Sequence, residues 1–130
     1  GNIVGRYLEN IKNDCNIHNE KMDPFLKAFN YHLDILVNFN DWTAQKIKDN
    51  KDDVSAAAND YLKTLGYISV GYAWIKVLEV CFNEYDKNKS FYSDKIDTAK
   101  FYFDRVLPRA ELHYKSAISG SSNIMNFKFN

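Results

Sequence analysis

The sequence predicts a soluble, all-α fold: an antiparallel bundle of three long helices plus a short N-terminal helix, with an extended C-terminal tail. Three observations support this class. Apolar residues recur at helical spacing over long segments. Five Gly and two Pro are too few for a turn-rich all-β fold. A chain of 130 residues, 45% hydrophobic and 26% charged, is typical of one globular unit. We therefore expect residues 1–130 to form a single helical domain.

The first two helices follow from local signals. Apolar residues recur at helical spacing from Ile3 to about Asn13, which predicts a short helix. The polar segment after it is predicted to be a connection. Asp23-Pro24 is a typical helix start, because Asp accepts bonds from free first-turn amides and Pro there loses no needed donor. The apolar pattern that follows predicts a helix to about Asp49.

The third helix is predicted to begin at a cap formed by Asp52 or Asp53 and to run to about Phe82. It is apolar nearly all round, which is typical of a helix in the middle of a bundle. Its longest uncharged run, Thr64 to Ile75, has twelve residues, so no membrane span is predicted. Gly66 and Gly71 lie inside it, and we attribute them to the close approach of another backbone, since a helical Gly costs about 0.8–1 kcal/mol relative to Ala.

The last helix begins near Ser90, a plausible cap, and its apolar stripe continues through Pro108. Proline removes one backbone bond and crowds the preceding turn, so a bend is expected near residues 104–107. Gly120 is expected to end the helix. The tail that follows is apolar at four positions and needs a surface to dock on: Ile124, Met125, Phe127 and Phe129.

Charge and cysteine content exclude several classes of function. The chain has 17 Lys+Arg and 17 Asp+Glu, so it lacks the basic footprint of a nucleic-acid-binding protein or of a protein that binds anionic membranes. Cys15 and Cys81 form no C-x-x-C and are read as inert thiols in a reducing compartment, which predicts a cytoplasmic protein. The chain begins at Gly1 without Met, which suggests a fragment of a longer chain or a tag remnant.

Signals for catalysis or metal binding are weak. His18, His32 and His113 lie in separate segments, and no metal-ligand motif occurs. Glu79 is expected to be partly buried and paired with Lys76 on the same helix face. No catalytic, cofactor-binding or metal-binding residue is therefore predicted in this chain.

Aromatic residues make up 15% of the chain. Phe101, Tyr102 and Phe103 are consecutive and cover about 200° of a helix, whereas a core stripe covers about 100°. At least one ring should therefore face outward and mark a protein interface, together with Trp42, Tyr67, Trp74 and the tail phenylalanines. A bulky but closed core is the alternative.

Two segments carry a resemblance to a known family. The first has small residues at Ala56–Ala58, then Tyr61-Leu62, Gly66, Gly71 and Trp74. The second has Phe91-Tyr92, Lys95, Thr98-Ala99, the aromatic run from Phe101 to Phe103, and Arg105-Val106-Leu107-Pro108. In this order and spacing they resemble the C-terminal extension domain of a subgroup of acyl-CoA dehydrogenases. The positions that the resemblance or the tail marks as motif or interface residues are Gly66, Gly71, Trp74, Phe91, Tyr92, Lys95, Phe101, Phe103, Arg105, Pro108, Phe127 and Phe129.

The resemblance implies a parent flavoenzyme of fatty acid metabolism that oxidises the Cα–Cβ bond of an acyl-CoA thioester with FAD. Its catalytic, FAD and acyl-CoA contacts would lie in a preceding body, so this chain would hold no cofactor of its own. The implied role is an accessory, non-catalytic domain that packs on that body or sets a homo-oligomer, with Lys95 and Arg105 in salt bridges or snorkelling. The alternative is a free-standing helical module that binds a partner through its aromatic surface.

Overall fold

The computed structural model describes the backbone of residues 2–15 and 19–126 and the side chains of residues 3–15 and 19–119. Over these ranges the chain forms helices and no strand. The α-helices are α1 (Asn2–Asp14), α2 (Asp23–Asp49), α3 (Lys51–Asn83), α4 (Lys89–Phe101) and α5 (Arg109–Asn126), with 3-10 helices at Glu20–Met22 and Tyr85–Lys87 and a π turn at Tyr102–Val106. The predicted fold class is confirmed, because α4, the π turn and α5 together make the third long helix.

Helix α2 has the predicted bounds, with Pro24 in its first turn, where the missing amide proton costs no helical bond. The predicted capping role of Asp23 is wrong. Asp23 is already helical, and the cap position belongs to Met22, which makes no side-chain capping bond.

The caps of α3 and α4 also lie two or three residues earlier than predicted. The Asn50 side-chain oxygen accepts from the amides of Asp52 and Asp53, at 3.1 and 3.4 Å, and Asn88 caps α4 in the same way in place of Ser90. A cap residue needs a non-helical backbone. Asn50 and Asn88 meet this condition, with φ of −156° and −160°.

Helix α3 lies at the centre of the bundle and contacts α2, α4 and α5. It runs antiparallel to α2, as shown by the Tyr61 hydroxyl donating to Asn40 Oδ1 at 3.0 Å. It also runs antiparallel to α5, with Asp60 opposite His113. Seven fully buried apolar side chains form the middle of the core: Phe29, Leu33, Leu36, Ile68, Ile75, Leu78 and Leu107. The prediction that this helix occupies the middle is therefore confirmed.

By length and composition alone, α3 is apolar enough to cross a membrane. The core helix of a water-soluble bundle passes the same test when most of it is buried, whereas 28% of the apolar window of α3 is buried among the described residues. One face of α3 packs against α2, α4 and α5, and large apolar residues on its other face are exposed.

Pro108 coincides with an interruption of the third long helix, within a residue of the predicted position. The Leu107 amide donates to the Tyr102 carbonyl at 2.9 Å, five residues back instead of four. This wider turn accommodates a proline that has no amide proton and that crowds the carbonyl four residues earlier. Regular α-helix resumes at Arg109.

Gly120 does not end the helix, because α5 continues to Asn126. The first six residues of the predicted tail are therefore helical. Phe127 and Phe129 lie outside the described residues.

The two glycines of α3 occupy different environments. A Cβ atom on Gly71 would lie 3.3 Å from Phe29 Cδ1 and 3.4 Å from Leu107 Cδ1, so α2 and the junction between the π turn and α5 approach the helix closely there. The close contact predicted at Gly71 is confirmed, although side chains make it and not a backbone. At Gly66 a Cβ atom would meet nothing within 4 Å, so that prediction is wrong among the described residues.

This difference gives a matched pair of substitutions. Gly71→Val should lower the free energy of unfolding by about 1–3 kcal/mol, because the added carbons overpack Phe29 and Leu107. Gly66→Val should change it by less than about 0.5 kcal/mol, because the site is open and Val has a slightly better helix propensity than Gly. Urea unfolding followed by circular dichroism at low micromolar concentration measures both. Equal effects at the two positions would contradict this account of the packing.

Candidate functional site

An apolar groove lies between the second half of α3 and the start of α4. It has a volume of about 310 Å³, and we call it the aromatic groove. Its lining residues are Trp74, Val77, Val80, Cys81, Phe91, Tyr92 and Lys95. The structure thus brings together four residues that the sequence marked in two separate motifs: Trp74 from the first, and Phe91, Tyr92 and Lys95 from the second.

Contacts between neighbouring side chains of α4 fix one side of the aromatic groove. The rings of Phe91 and Tyr92 meet edge to face, with centroids 5.2 Å apart. The Lys95 Nζ atom lies 5.6 Å from the centroid of Phe91, one turn away along the helix, which is within cation–π range. Phe91 is still 50% exposed. The groove therefore offers an open aromatic floor with one cation at its rim.

Cys81 lies at the bottom of the groove and is 2% exposed. Burial raises the pKa of the Cys81 thiol, and the positive charge of Lys95 only partly opposes this shift. A thiol with a raised pKa is a weak nucleophile at neutral pH. Cys81 is therefore a packing residue, as the sequence predicted for both cysteines, and burial likewise raises the pKa of Cys15 to about 11.

The consecutive rings on the third long helix separate as predicted. Phe101 is 62% exposed, whereas Tyr102 and Phe103 are buried. Phe103 packs edge-on against Phe25 of α2, with centroids 5.5 Å apart. Phe101 is the outward ring that the helical geometry required.

The other predicted site residues are dispersed. Gly66 and Arg105 are exposed, Pro108 is partly buried beside the π turn, and Gly71 faces the core. None of these four lines the aromatic groove.

The predicted partner of Lys76 is wrong. Its Nζ atom lies 3.7 Å from Asp14 of α1, and it also lies over the Tyr72 ring at 5.3 Å. The Tyr72 hydroxyl donates to the same Asp14 carboxylate. This hydrogen bond, together with the charge of Lys76, lowers the pKa of Asp14. Glu79 is partly buried, as predicted, but Lys76 serves to attach α1 to α3.

Sequence reasoning missed one polar pair, because its members are 53 residues apart. His113 Nδ1 lies 2.8 Å from Asp60 Oδ1, and the imidazole stacks on the Tyr67 ring at 5.9 Å. Within the described part of the chain neither side chain hydrogen-bonds to a serine, threonine or cysteine. This separates the pair from nucleophile–base dyads. It serves as a link between α3 and α5.

Among residues 2–15 and 19–126, no group of three or more His, Cys, Asp or Glu side chains is placed to hold a metal ion. The local geometry of the aromatic groove instead suits an apolar contact with another protein surface, with Lys95 at its edge.

A family model for the acetyl-CoA dehydrogenase C-terminal-like domain matches residues 7–128. The chain belongs to this family. The match includes both motif segments and all of α2 to α5, as well as most of α1. No curated protein sequence matches the chain. No solved structure matches it either.

In this acetyl-CoA dehydrogenase C-terminal-like domain, the motif residue Tyr102 also ties the π turn to α3. Its hydroxyl donates to the Tyr67 carbonyl at 2.6 Å. Burial raises the pKa of Tyr102 to about 12, from an ordinary value of 10.0.

Tyr102→Phe should lower the free energy of unfolding by about 1 kcal/mol at neutral pH, because this hydrogen bond is lost. The raised pKa adds a pH dependence. The Tyr102 hydroxyl ionises at a lower pH in the unfolded chain than in the folded chain. Its contribution to the free energy of unfolding is therefore complete below about pH 10 and is lost as the pH rises toward about 12. The stability difference between wild type and variant should therefore narrow across that range. Urea titrations at neutral and alkaline pH test this, and a constant difference would show that the hydroxyl is not held as described.

Proposed function

We propose that the chain is the accessory C-terminal helical domain of a longer, FAD-dependent acyl-CoA dehydrogenase. The parent would oxidise the Cα–Cβ bond of an acyl-CoA thioester. This domain would be non-catalytic and would supply packing or oligomer contacts. The observation that carries the proposal is the family match over residues 7–128.

The surface of the domain supports a docking role. The large side chains that are more than about a third exposed include Leu62, Val70, Val77, Val80 and Phe91, which lie on α3 or at the start of α4. Contiguous apolar surface of this kind marks protein interfaces. Phe101 adds a second exposed ring farther along α4.

The N-termini of α3 and α4 do not fit the diphosphate of FAD. Proteins bind such a group with free amides at a helix N-terminus. The first amides of α3 are already occupied by Asn50, and Asp52 and Asp53 place two carboxylates there. Asn88 occupies a first-turn amide of α4. We therefore assign FAD binding to the body of the parent enzyme and derive no chemical step in this domain.

A free-standing interaction module is the second candidate. The exposed aromatic groove favours it equally, because an apolar groove can receive a partner that is not a flavoenzyme. The two candidates differ in whether a flavoprotein body belongs to the same chain.

The test compares the full-length protein with two pieces, the body and this domain. We expect the body to show the visible flavin absorption band and this domain to show none, even after addition of FAD. Deletion of the domain should leave acyl-CoA-dependent bleaching of the flavin and reduce the thermal stability or the oligomer size. Phe101→Ala should weaken binding of the isolated domain to the body by about tenfold, since it removes an apolar anchor that is 62% exposed.

Leu112→Ala is the matched control, since Leu112 is 68% exposed on α5 and lies outside the aromatic groove. A flavin spectrum in the isolated domain would contradict the proposal. A full-length reading frame without a flavoprotein body would favour the free-standing module.

A further inference from the structure

Helix α3 has a second apolar face, opposite the core. At 100° per residue, six residues fall within an arc of about 80°, roughly opposite the buried residues of the helix. We call this set the outer face: Leu62, Gly66, Val70, Ala73, Val77 and Val80. None is charged, and all six are exposed. A helix that is apolar on two opposite sides needs a partner on each side, and within the described residues only one side has one.

The large members of the outer face are well exposed. Leu62 is 65% exposed, Val80 52%, Val70 47% and Val77 38%. Isolated exposed apolar residues are common on protein surfaces, but four on one face of a single helix form a patch.

Gly66 is a second and independent sign of an outside contact. A glycine within an exposed helix costs about 0.8–1 kcal/mol relative to alanine. No atom of the described residues explains that cost, because among them nothing lies within 4 Å of a Cβ atom placed there. A neighbour from outside the chain that packs close to the helix would explain it.

The order of side-chain sizes on the outer face is self-complementary. If a second α3 lies antiparallel on the first, with a twofold axis level with Gly71, each residue meets a defined partner residue. Val77 falls within one residue, about 1.5 Å, of the level of Gly66, and Val70 lies equally close to the level of Ala73, so each valine lies against a small side chain. Such interdigitation is what helix pairs require. A symmetric dimer interface must be self-complementary in this way.

Leu62 and the aromatic groove complete the arrangement. Under the same axis, Leu62 falls opposite Val80, which lines the groove together with Val77 and Phe91. The exposed leucine at one end of the face thus meets the open groove at the other end of the partner's face. Leu62 and the groove residue Val80 are 18 residues apart on the helix, about 27 Å. The twofold axis brings the Leu62 side chain of each copy to the groove of the other at the same time.

The area of this face is sufficient for a weak dimer. It is about 27 Å long, and with the flanking α1 and α4 it is about 18 Å wide, at the usual interhelical spacing. This projects to about 500 Å² per copy, or about 1,000 Å² in a pair, which is the lower limit for a specific interface and fits a weak dimer.

We propose that the outer face of α3 pairs with the same face of a second copy of this chain, antiparallel about a twofold axis level with Gly71, with Leu62 of each copy in the aromatic groove of the other. The inference rests on the proposed role in oligomer contacts. It does not depend on the identity of the parent enzyme, so the two can fail separately.

The first test is sedimentation equilibrium of the 130-residue chain from about micromolar to about millimolar concentration. We expect a monomer–dimer equilibrium with no larger species. Leu62→Lys should weaken the dimer at least tenfold, and Leu112→Lys should not, although the two leucines are 65% and 68% exposed. Far-ultraviolet circular dichroism confirms that both variants fold, which is expected because both sites are exposed.

The second test uses cross-linking, in a background where Cys15 and Cys81 are replaced by alanine. A mixture of Leu62→Cys and Val80→Cys chains should form a mixed disulfide dimer under mild oxidation, because these positions face each other across the axis. Each variant alone should cross-link poorly, because its two cysteines would lie about 27 Å or more apart.

Three outcomes would overturn the proposal. A monomer at every concentration would show that another surface covers the face. Equal effects of the two lysine variants, or open-ended oligomers, would exclude the symmetric pairing. Binding of the monomer to vesicles of neutral and anionic phospholipids that is lost in Leu62→Lys would assign the face to a lipid surface instead. If the dimer is absent and the flavin experiment still succeeds, the proposed function survives and this inference does not.

Discussion

The structure depends on the packing of the inner face of α3. Ile68, Ile75 and Leu78 are fully buried there, and α2, α4 and α5 each contact this helix. Each of the other helices packs against α3 or is hydrogen-bonded to it, so the position of α3 fixes the positions of the others. The polar links along its length, Asp60 to His113 and Lys76 to Asp14, attach α5 and α1 to the same helix. A change on the inner face should therefore affect the whole bundle, whereas a change on the outer face should affect association alone.

Local sequence was enough to predict the elements but not their caps. The bounds of α2 were predicted to within one residue, since the Asp23-Pro24 pair marks its start and the apolar pattern ends close to Asp49. The caps of α3 and α4 were placed two or three residues late because Asp and Ser were preferred over the preceding Asn50 and Asn88 on residue type alone. Backbone conformation decides the cap, and the extended φ of both asparagines is not visible in the composition of the segment.

Several residues of the aromatic groove could be predicted from the sequence, but the contacts between its two sides could not. Phe91, Tyr92 and Lys95 form a local set on α4, and helical spacing gives their relation directly. Trp74 joins them only because the Tyr85–Lys87 turn folds α4 back along α3. Asp60 and His113 were missed for the same reason, since their contact depends on the register between two helices and on no local pattern. Lys76 was assigned to Glu79 by spacing, but Tyr72 and Asp14 together provide a better site for the charge.

The two glycines of the first motif, Gly66 and Gly71, are subject to two different packing constraints. Gly71 lies on the inner face, where the Phe29 ring and Leu107 leave room for little more than a hydrogen. Gly66 lies on the outer face, five residues earlier and on nearly the opposite side of the helix, and among the described residues nothing lies within 4 Å of a Cβ atom placed there. A single bundle explains the first glycine and not the second. An accessory domain that is packed on one side of its central helix and docked on the other explains both, because each glycine then serves a close contact on its own face.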